Sequence, residues 1–156
     1  MLNPGLHATP IKNAKSISLR GLQTQGFWKN RKPLKRLFGG RVTAPAWVLR
    51  INPNQKSTLK KQVKKVLERA NRHFGKKNAR INIRKIRVLL VDLEKSKIIR
   101  DGEIHVAVKS PPHALRNILI SNEEITRLEE QTSSLGDQKA NELIVNFVTE
   151  KVREML

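Results

Sequence analysis

No acidic residue precedes Glu68, and the first hundred residues hold 26 lysines and arginines against 3 aspartates and glutamates. Residues 101 to 156 reverse the balance, with 6 basic side chains against 10 acidic ones. Charge of this density limits the folds open to the chain. An element that carries several of these cations keeps them on a face in water, and its apolar residues must recur at the helix or strand period to make a buried face. The formal net charge of +19 also repels itself in any compact state, and a polyanion close by would relieve it. A nucleic acid is the partner to expect.

The length of 156 residues and the 38% hydrophobic content suit a folded protein rather than a disordered polycation. Without cysteine there is no disulfide framework, no thiol chemistry and no cysteine-based zinc site. His7, His73, His105 and His113 are scattered, so no metal is expected. No apolar run approaches the ~20 residues that a membrane span needs, which points to a soluble, intracellular protein. The acid-free N-terminus also looks like an organellar transit peptide. Pro4, Gly5 and Pro10 would interrupt its amphipathic helix, and the acid-free stretch continues far beyond a usual presequence, so a cytoplasmic location is favoured over organellar import.

Thr9-Pro10 reads as an N-cap with proline at the first helical position, and Gly21 as a stop, giving a short helix over 10–20 that buries Ile11, Ala14 and Ile17, with Leu22 beyond it. Residues 23–44 form a basic loop with Phe27, Trp28 and Phe38 interspersed. A strand over 46–51 follows, ended by Asn52-Pro53-Asn54. The segment 57–74 places Leu59, Val63, Val66, Leu67, Ala70 and Phe74 at helical spacing, with a positive ridge on its other faces. Residues 81–93 read as a strand that becomes continuously apolar from Val88 to Val91, as in a sheet interior. After a polar stretch over 94–102, EIHVAVK alternates, with Ile104, Val106 and Val108 opposite Glu103, His105 and Ala107, and Pro111-Pro112 stops it. Ser121 and Glu124 make a capping box for a helix to about Gln131, and Asp137 opens a last helix with an apolar stripe of Leu143, Ile144, Phe147, Val148, Val152 and Leu156. The organisation is an α+β core over 1–120, carrying the basic loop 23–44 and the basic helix 57–74, and a C-terminal helical extension over 121–156.

Glycine pairs at 39–41 (GGR) and the FGKK of 74–77 match neither a P-loop nor a dinucleotide fingerprint. The segment LHATPIKNAKSISLRGL, residues 6–22, is more specific. It resembles the opening motif of the ADP-ribosyltransferase fold, in which a short strand bears His-x-Ser/Thr, a short helix follows, and Gly-Leu ends it. His7, Thr9, Ile17, Gly21 and Leu22 fall on that pattern. Gly102-Glu103-Ile104-His105-Val106, followed by Ser110-Pro111-Pro112 and the apolar Leu115, Ile118 and Ile120, is similar to the family's late acidic strand.

The resemblance covers roughly residues 2–120 and implies an α+β fold with a mixed sheet, split in that family's manner, and NAD as cofactor. It implies that His7 binds the adenosine-side ribose, that Thr9 assists it, and that Glu103 is the catalytic carboxylate. Breaking the nicotinamide glycosidic bond develops oxocarbenium character, which a carboxylate beside the ribose 2′-hydroxyl would orient and stabilise. The family's middle motif has no counterpart, since the chain lacks tyrosine; Ser57, Thr58, Trp47 and Phe27 are the residues available for its place. The tRNA 2′-phosphotransferase branch adds active-site arginines, for which Arg20, Arg41 and Arg50 are the candidates.

Nucleic-acid binding stands apart from catalysis. Lys29, Arg31, Lys32, Lys35 and Arg36 in the loop, and Lys60, Lys61, Lys64, Lys65, Arg69 and Arg72 on the helix, would neutralise phosphates and release counterions. Trp28, Phe27 and Phe38 could stack on unpaired bases. The loop and the helix read as two basic walls around a cleft, with RNA the favoured partner. Two other classes stay open: an RNA-binding protein without catalysis, such as a ribonucleoprotein component, and a toxin or interaction module whose acidic C-terminal helices contact the chain's own basic half or a protein partner.

Overall fold

The computed structural model describes residues 3–23, 46–51, 56–75, 79–95, 97–100, 104–110 and 112–156. In chain order the elements are β1 (Pro4–Pro10), α1 (Ile11–Arg20), β2 (Leu22–Gln23), β3 (Ala46–Arg50), α2 (Lys56–Asn71), β4 (Ile86–Asp92), β5 (Lys97–Arg100), β6 (Ile104–Ser110), β7 (Leu115–Ile118), α3 (Asn122–Thr132) and α4 (Asp137–Met155). The described strands form one sheet in the order β2-β6-β3-β1-β4-β7, with β5 also on β6.

Every described ladder is antiparallel, in place of the mixed sheet expected. The reason lies in β1. The segment β3-α2-β4 is a crossover between two strands of like direction, but β1 lies between them and is antiparallel to both. The described strands also form one connected sheet rather than a split one.

Both faces are covered around the centre. On one, α2 and α4 close a large core through Val63, Leu67, Val145 and Val148, packed with Leu6, Val88 and Leu90. On the other, Ile17 of α1 closes a smaller core with Val48, Leu89, Val91 and Leu93. The run Val88 to Val91 is continuously apolar because alternate members feed opposite cores, and each fully buried side chain of this size contributes about 1.5–3 kcal/mol. The C-terminal helices belong to the large core, since Ile125, Ile144, Val148 and Val152 pack with Leu6 and Leu90.

Local sequence accounts for most ends. Gly21 donates its N–H to the Ile17 carbonyl at 2.7 Å and holds φ 81°, a left-handed backbone that glycine tolerates and that stops α1. Ser121 and Glu124 make the expected reciprocal capping box, each hydrogen bond 3.1 Å long. Thr9 is no cap: β1 runs through it, the cap position is Pro10, and no side chain caps α1. Ile11 is 39% exposed, because among the described side chains of α1 those turned inward are Ala14 and Ile17.

The expected strand start at Ile81 is instead irregular chain followed by a single helical turn over Ile83–Lys85. Asparagines take the place of a neighbouring strand there. Ile81 N–H donates to Asn141 Oδ1 at 2.7 Å and Asn82 N–H to Asn71 Oδ1 at 2.8 Å, while Asn71 Nδ2 donates to the Arg80 carbonyl at 3.1 Å and Asn141 Nδ2 to that of Ala79 at 3.1 Å. The stripe of α4 is also rotated from expectation. Leu143 and Leu156 are exposed, whereas Val145 and Thr149 are buried beside Ile144, Val148 and Val152.

Candidate functional site

Strand parity assigns the motif residues to a face. Leu6 and Ala8 join the large core, so Gly5, His7 and Thr9 belong to the opposite face, the one that α1 partly covers. Gly5 is required there: a Cβ on it would lie 2.4 Å from Val48 Cγ1 and 3.2 Å from Leu93 Cδ1. This close approach sets the backbone two residues before His7. His7 is half-buried and is paired through its backbone with Leu89, which in turn pairs with Asn117 of β7. Thr9, 5% exposed, pairs with Arg87. The face therefore carries His7 and Asn117 across Leu89, with Thr9 and Arg87 in the adjacent row.

Sequence reasoning missed Arg87 and Asn117. The signal for Arg87 was its parity with Leu89 and Val91 within β4. Asn117 had none, because β7 was read only as an apolar segment.

Glu103 lies outside the described residues, as do Lys29, Arg31, Lys32, Lys35, Arg36, Arg41 and Phe27. The strand that follows Glu103 is described. Ile104, the first residue of β6, pairs with Leu49 of β3, and Leu49 pairs with Leu6 of β1. The late strand thus begins level with Leu6, one step from His7, and two strand spacings away, about 10 Å. Of the arginines considered for a phosphotransferase, Arg50 is exposed and pairs with Gly5, while Arg20 is exposed at the end of α1. Thr58 is half-buried on α2 and so belongs to the other side of the sheet from His7.

The basic helix takes that other side as well. Leu59, Val63, Val66, Leu67 and Ala70 seat α2 on the Leu6 face, and Lys60, Lys61, Lys64, Lys65, Arg69 and Arg72 are exposed beyond it. The helix and His7 therefore do not wall one cleft: the sheet stands between them. The reason is that α2's apolar stripe completes the core started by Leu6 and Leu90, whereas α1 already occupies the His7 face.

Acidic side chains of the C-terminal helices meet the chain's own cations. Lys60 Nζ lies 3.8 Å from Glu142, and Arg84 forms a bidentate pair with Glu129. Arg80 donates to Asp137 at 3.1 Å, to the Thr132 carbonyl at 3.0 Å and to the Leu135 carbonyl, satisfying oxygens at the end of α3. The Arg84 guanidinium holds the Glu129 carboxyl below its ordinary range, and Glu129 raises Arg84 in turn. Partial desolvation, with the neighbouring Arg72 charge, lowers Arg69. A cleft of about 420 Å³ lies between residues 80–84 and α3 and α4, floored by Ile81, Ile83, Leu128 and Ile144 and flanked by the Arg84–Glu129 pair. None of the candidate site residues named from sequence lines it.

Among the described residues no group of histidines and carboxylates could hold a metal ion, and no helix is long and apolar enough to cross a membrane. Comparison with protein-family models, with curated proteins and with solved structures gave no match.

Proposed function

We propose that the chain is an ADP-ribosyltransferase-like enzyme that uses NAD and modifies nucleic acid, with RNA as the substrate class. The observation that supports this is the register across β1, β3 and β6. It brings the His-x-Thr strand to the middle of the sheet and starts the late strand, directly after Glu103, level with Leu6 and only one strand beyond β3. Residues on two such strands can hold the two ends of one ligand.

In this reading His7 binds the adenosine-side ribose, and Thr9, too enclosed to touch the cofactor, supports the strand behind it. Glu103 takes the 2′-hydroxyl of the nicotinamide ribose. The C1′–N bond breaks with its electron pair going to the pyridinium nitrogen, which leaves as neutral nicotinamide; a nucleophilic atom of the RNA then bonds to C1′ and gives up its proton. Arg87 and Asn117 lie beside His7 and Thr9 and contribute polar contacts for the cofactor's phosphates and ribose.

The test is release of nicotinamide on mixing with NAD and RNA, together with binding of NAD alone. Turnover should be lost in Glu103→Gln and weakened in His7→Ala with the fold intact. Absence of both turnover and NAD binding in the unaltered protein would sink the enzyme reading. A second reading, RNA binding without chemistry, is favoured by one observation: the lysines of α2 lie across the sheet from His7, so they need no active site to function.

A further inference from the structure

We propose that Arg87 makes the cofactor site selective for a dinucleotide that bears a phosphate on its adenosine ribose, the chemistry of NADP, over NAD. The inference rests on the reading above in one respect, that His7 takes the adenosine-side ribose.

Arg87 is half-buried in β4, yet none of the hydrogen bonds or ion pairs of the described residues involves its side chain. By contrast Arg80, Arg84 and Arg153 are matched by Asp137, Glu129 and Glu150. The neighbouring β1 and α1 precede Glu68 and so supply no carboxylate. A guanidinium taken partly out of water without a partner is costly, and a bound anion offsets that cost.

The register sets what such an anion is attached to. His7 pairs with Leu89, two residues along β4 from Arg87 and on the same face, a diagonal step of about 7–8 Å between Cα atoms. An extended arginine spans that distance. The sheet order puts Arg87 and Asn117 on the β4 and β7 side of His7, and the strand after Glu103 on the β3 and β6 side. With the nicotinamide ribose toward Glu103, Arg87 stands at the adenosine end. The adenosine ribose is bonded through C1′ to adenine and through O5′ to the pyrophosphate, so an additional phosphate sits on one of its two remaining hydroxyls, within reach of the arginine fork.

The surface beside Arg87 suits the adenine. Ile118 and Ile120 pack in the large core, so Leu119 between them falls on the His7 face, where it is 71% exposed. Ile11, 39% exposed, opens α1 on that same face, and Asn117 is exposed with no side-chain hydrogen bond among the described residues. Two aliphatic side chains and one amide match a flat base with a hydrogen-bonding edge.

The experiment is titration calorimetry at roughly 0.15 M salt, where exposed charges more than about 8 Å apart are largely screened. The probes are 2′,5′-ADP, the adenosine half of NADP, and 5′-ADP, which carries as many phosphates but none on the free ribose hydroxyls. The first should bind about 10–100-fold more tightly, the effect of a charge-assisted arginine contact. Arg87→Gln should abolish the difference, and Arg87→Lys, which keeps the charge but loses the fork, should leave part of it. Arg116→Gln removes the same charge from the opposite face of β7, opposite Leu90, and should leave it whole. Equal binding of the two probes by the unaltered protein overturns the proposal without any variant, and so does a preference that survives in folded Arg87→Gln. Nicotinamide release separates the two readings. If the preference holds but neither NADP nor NAD releases nicotinamide, the catalytic reading falls and the selectivity stands; release from NAD at least as efficient as from NADP overturns the selectivity alone. If neither probe and neither dinucleotide binds, both fall.

Discussion

Replacing Gly5 by alanine tests the geometry that holds the His7 strand. The added Cβ would stand 2.4 Å from Val48 Cγ1, well inside van der Waals contact, and 3.2–3.3 Å from two atoms of Leu93. Val48 is fully buried and β-branched, so its methyl cannot swing clear, and β1 must part from its neighbours. Overpacking of this kind costs about 1–3 kcal/mol, while alanine returns about 0.4–1 kcal/mol by restricting the unfolded chain, leaving a net loss of about 1–2 kcal/mol. For a chain of this size that lowers Tm by about 2–8 °C. Adding Val48→Ala removes the offending methyl. The G5A/V48A pair should therefore be less destabilised than the sum of the two single variants by at least ~1 kcal/mol in a double-mutant cycle followed by urea denaturation. Wild-type stability for Gly5→Ala, or additivity of the two changes, would refute the close approach of β1 to Val48.

Other consequences are equally open to measurement. Asn71→Ala should cost about 1–3 kcal/mol in denaturant midpoint, because it orphans the Asn82 N–H and the Arg80 carbonyl in a part-buried segment; no change would mean that water replaces the side chain. On α4, Ile144→Ala should lose about 2–5 kcal/mol and Leu143→Ala less than half as much, whereas equal membership of one stripe would give similar losses. Acid should destabilise the protein through Glu124 and Glu129. The hydrogen bonds from Lys151 and from the Ser121 backbone lower Glu124, and that from Arg84 lowers Glu129. A depressed folded pKa means stability that is fully present above the unfolded value, near 4.5, and is lost as pH falls through the folded value. Melting temperature should thus drop below about pH 5, and the double variant E124Q/E129Q should show a shallower acid limb.

The sequence was most legible where a single period governs. The whole stripe of α2 was readable because Leu59, Val63, Val66, Leu67 and Ala70 all face one core, and the charges on the other side remove ambiguity. It failed where partners far along the chain decide. Ile81 and Ile83 alternate like strand residues and are both buried, but Asn71 and Asn141, from two different helices, capture the backbone donors that a strand would have used. The short strand β5 was hidden among charged neighbours in a stretch read as polar, and it pairs with β6 only through register shifts. In β1 the dipeptide Thr9-Pro10 imitates a helix cap, yet the ladder to Arg87 and Ile86 carries both residues as strand. For the candidate site, the sequence names residues but not the side of the sheet on which each falls. Nothing local tells which side of a sheet a helix will take, so α2 and His7 were read together although the sheet divides them.

That division changes what the charge asymmetry means. A basic first hundred residues beside an acidic tail would, in a chain without fixed contacts, simply collapse tail onto body. Here the tail's helices are held by their apolar residues in the core with Leu6 and Leu90, and this fixes where their acids fall. Glu142 reaches Lys60, Asp137 reaches Arg80 and Glu129 reaches Arg84, all on the side of the molecule where α3 and α4 lie. These exposed pairs add little to stability individually. Their consequence is spatial: they set negative charge beside Lys60, Arg80 and Arg84, on the side of the molecule where the C-terminal helices lie. Reversing Glu142 to lysine would place a like charge beside Lys60 in place of its partner, and under the proposed nucleic-acid reading it should steepen the salt dependence of RNA binding by up to about one unit of slope.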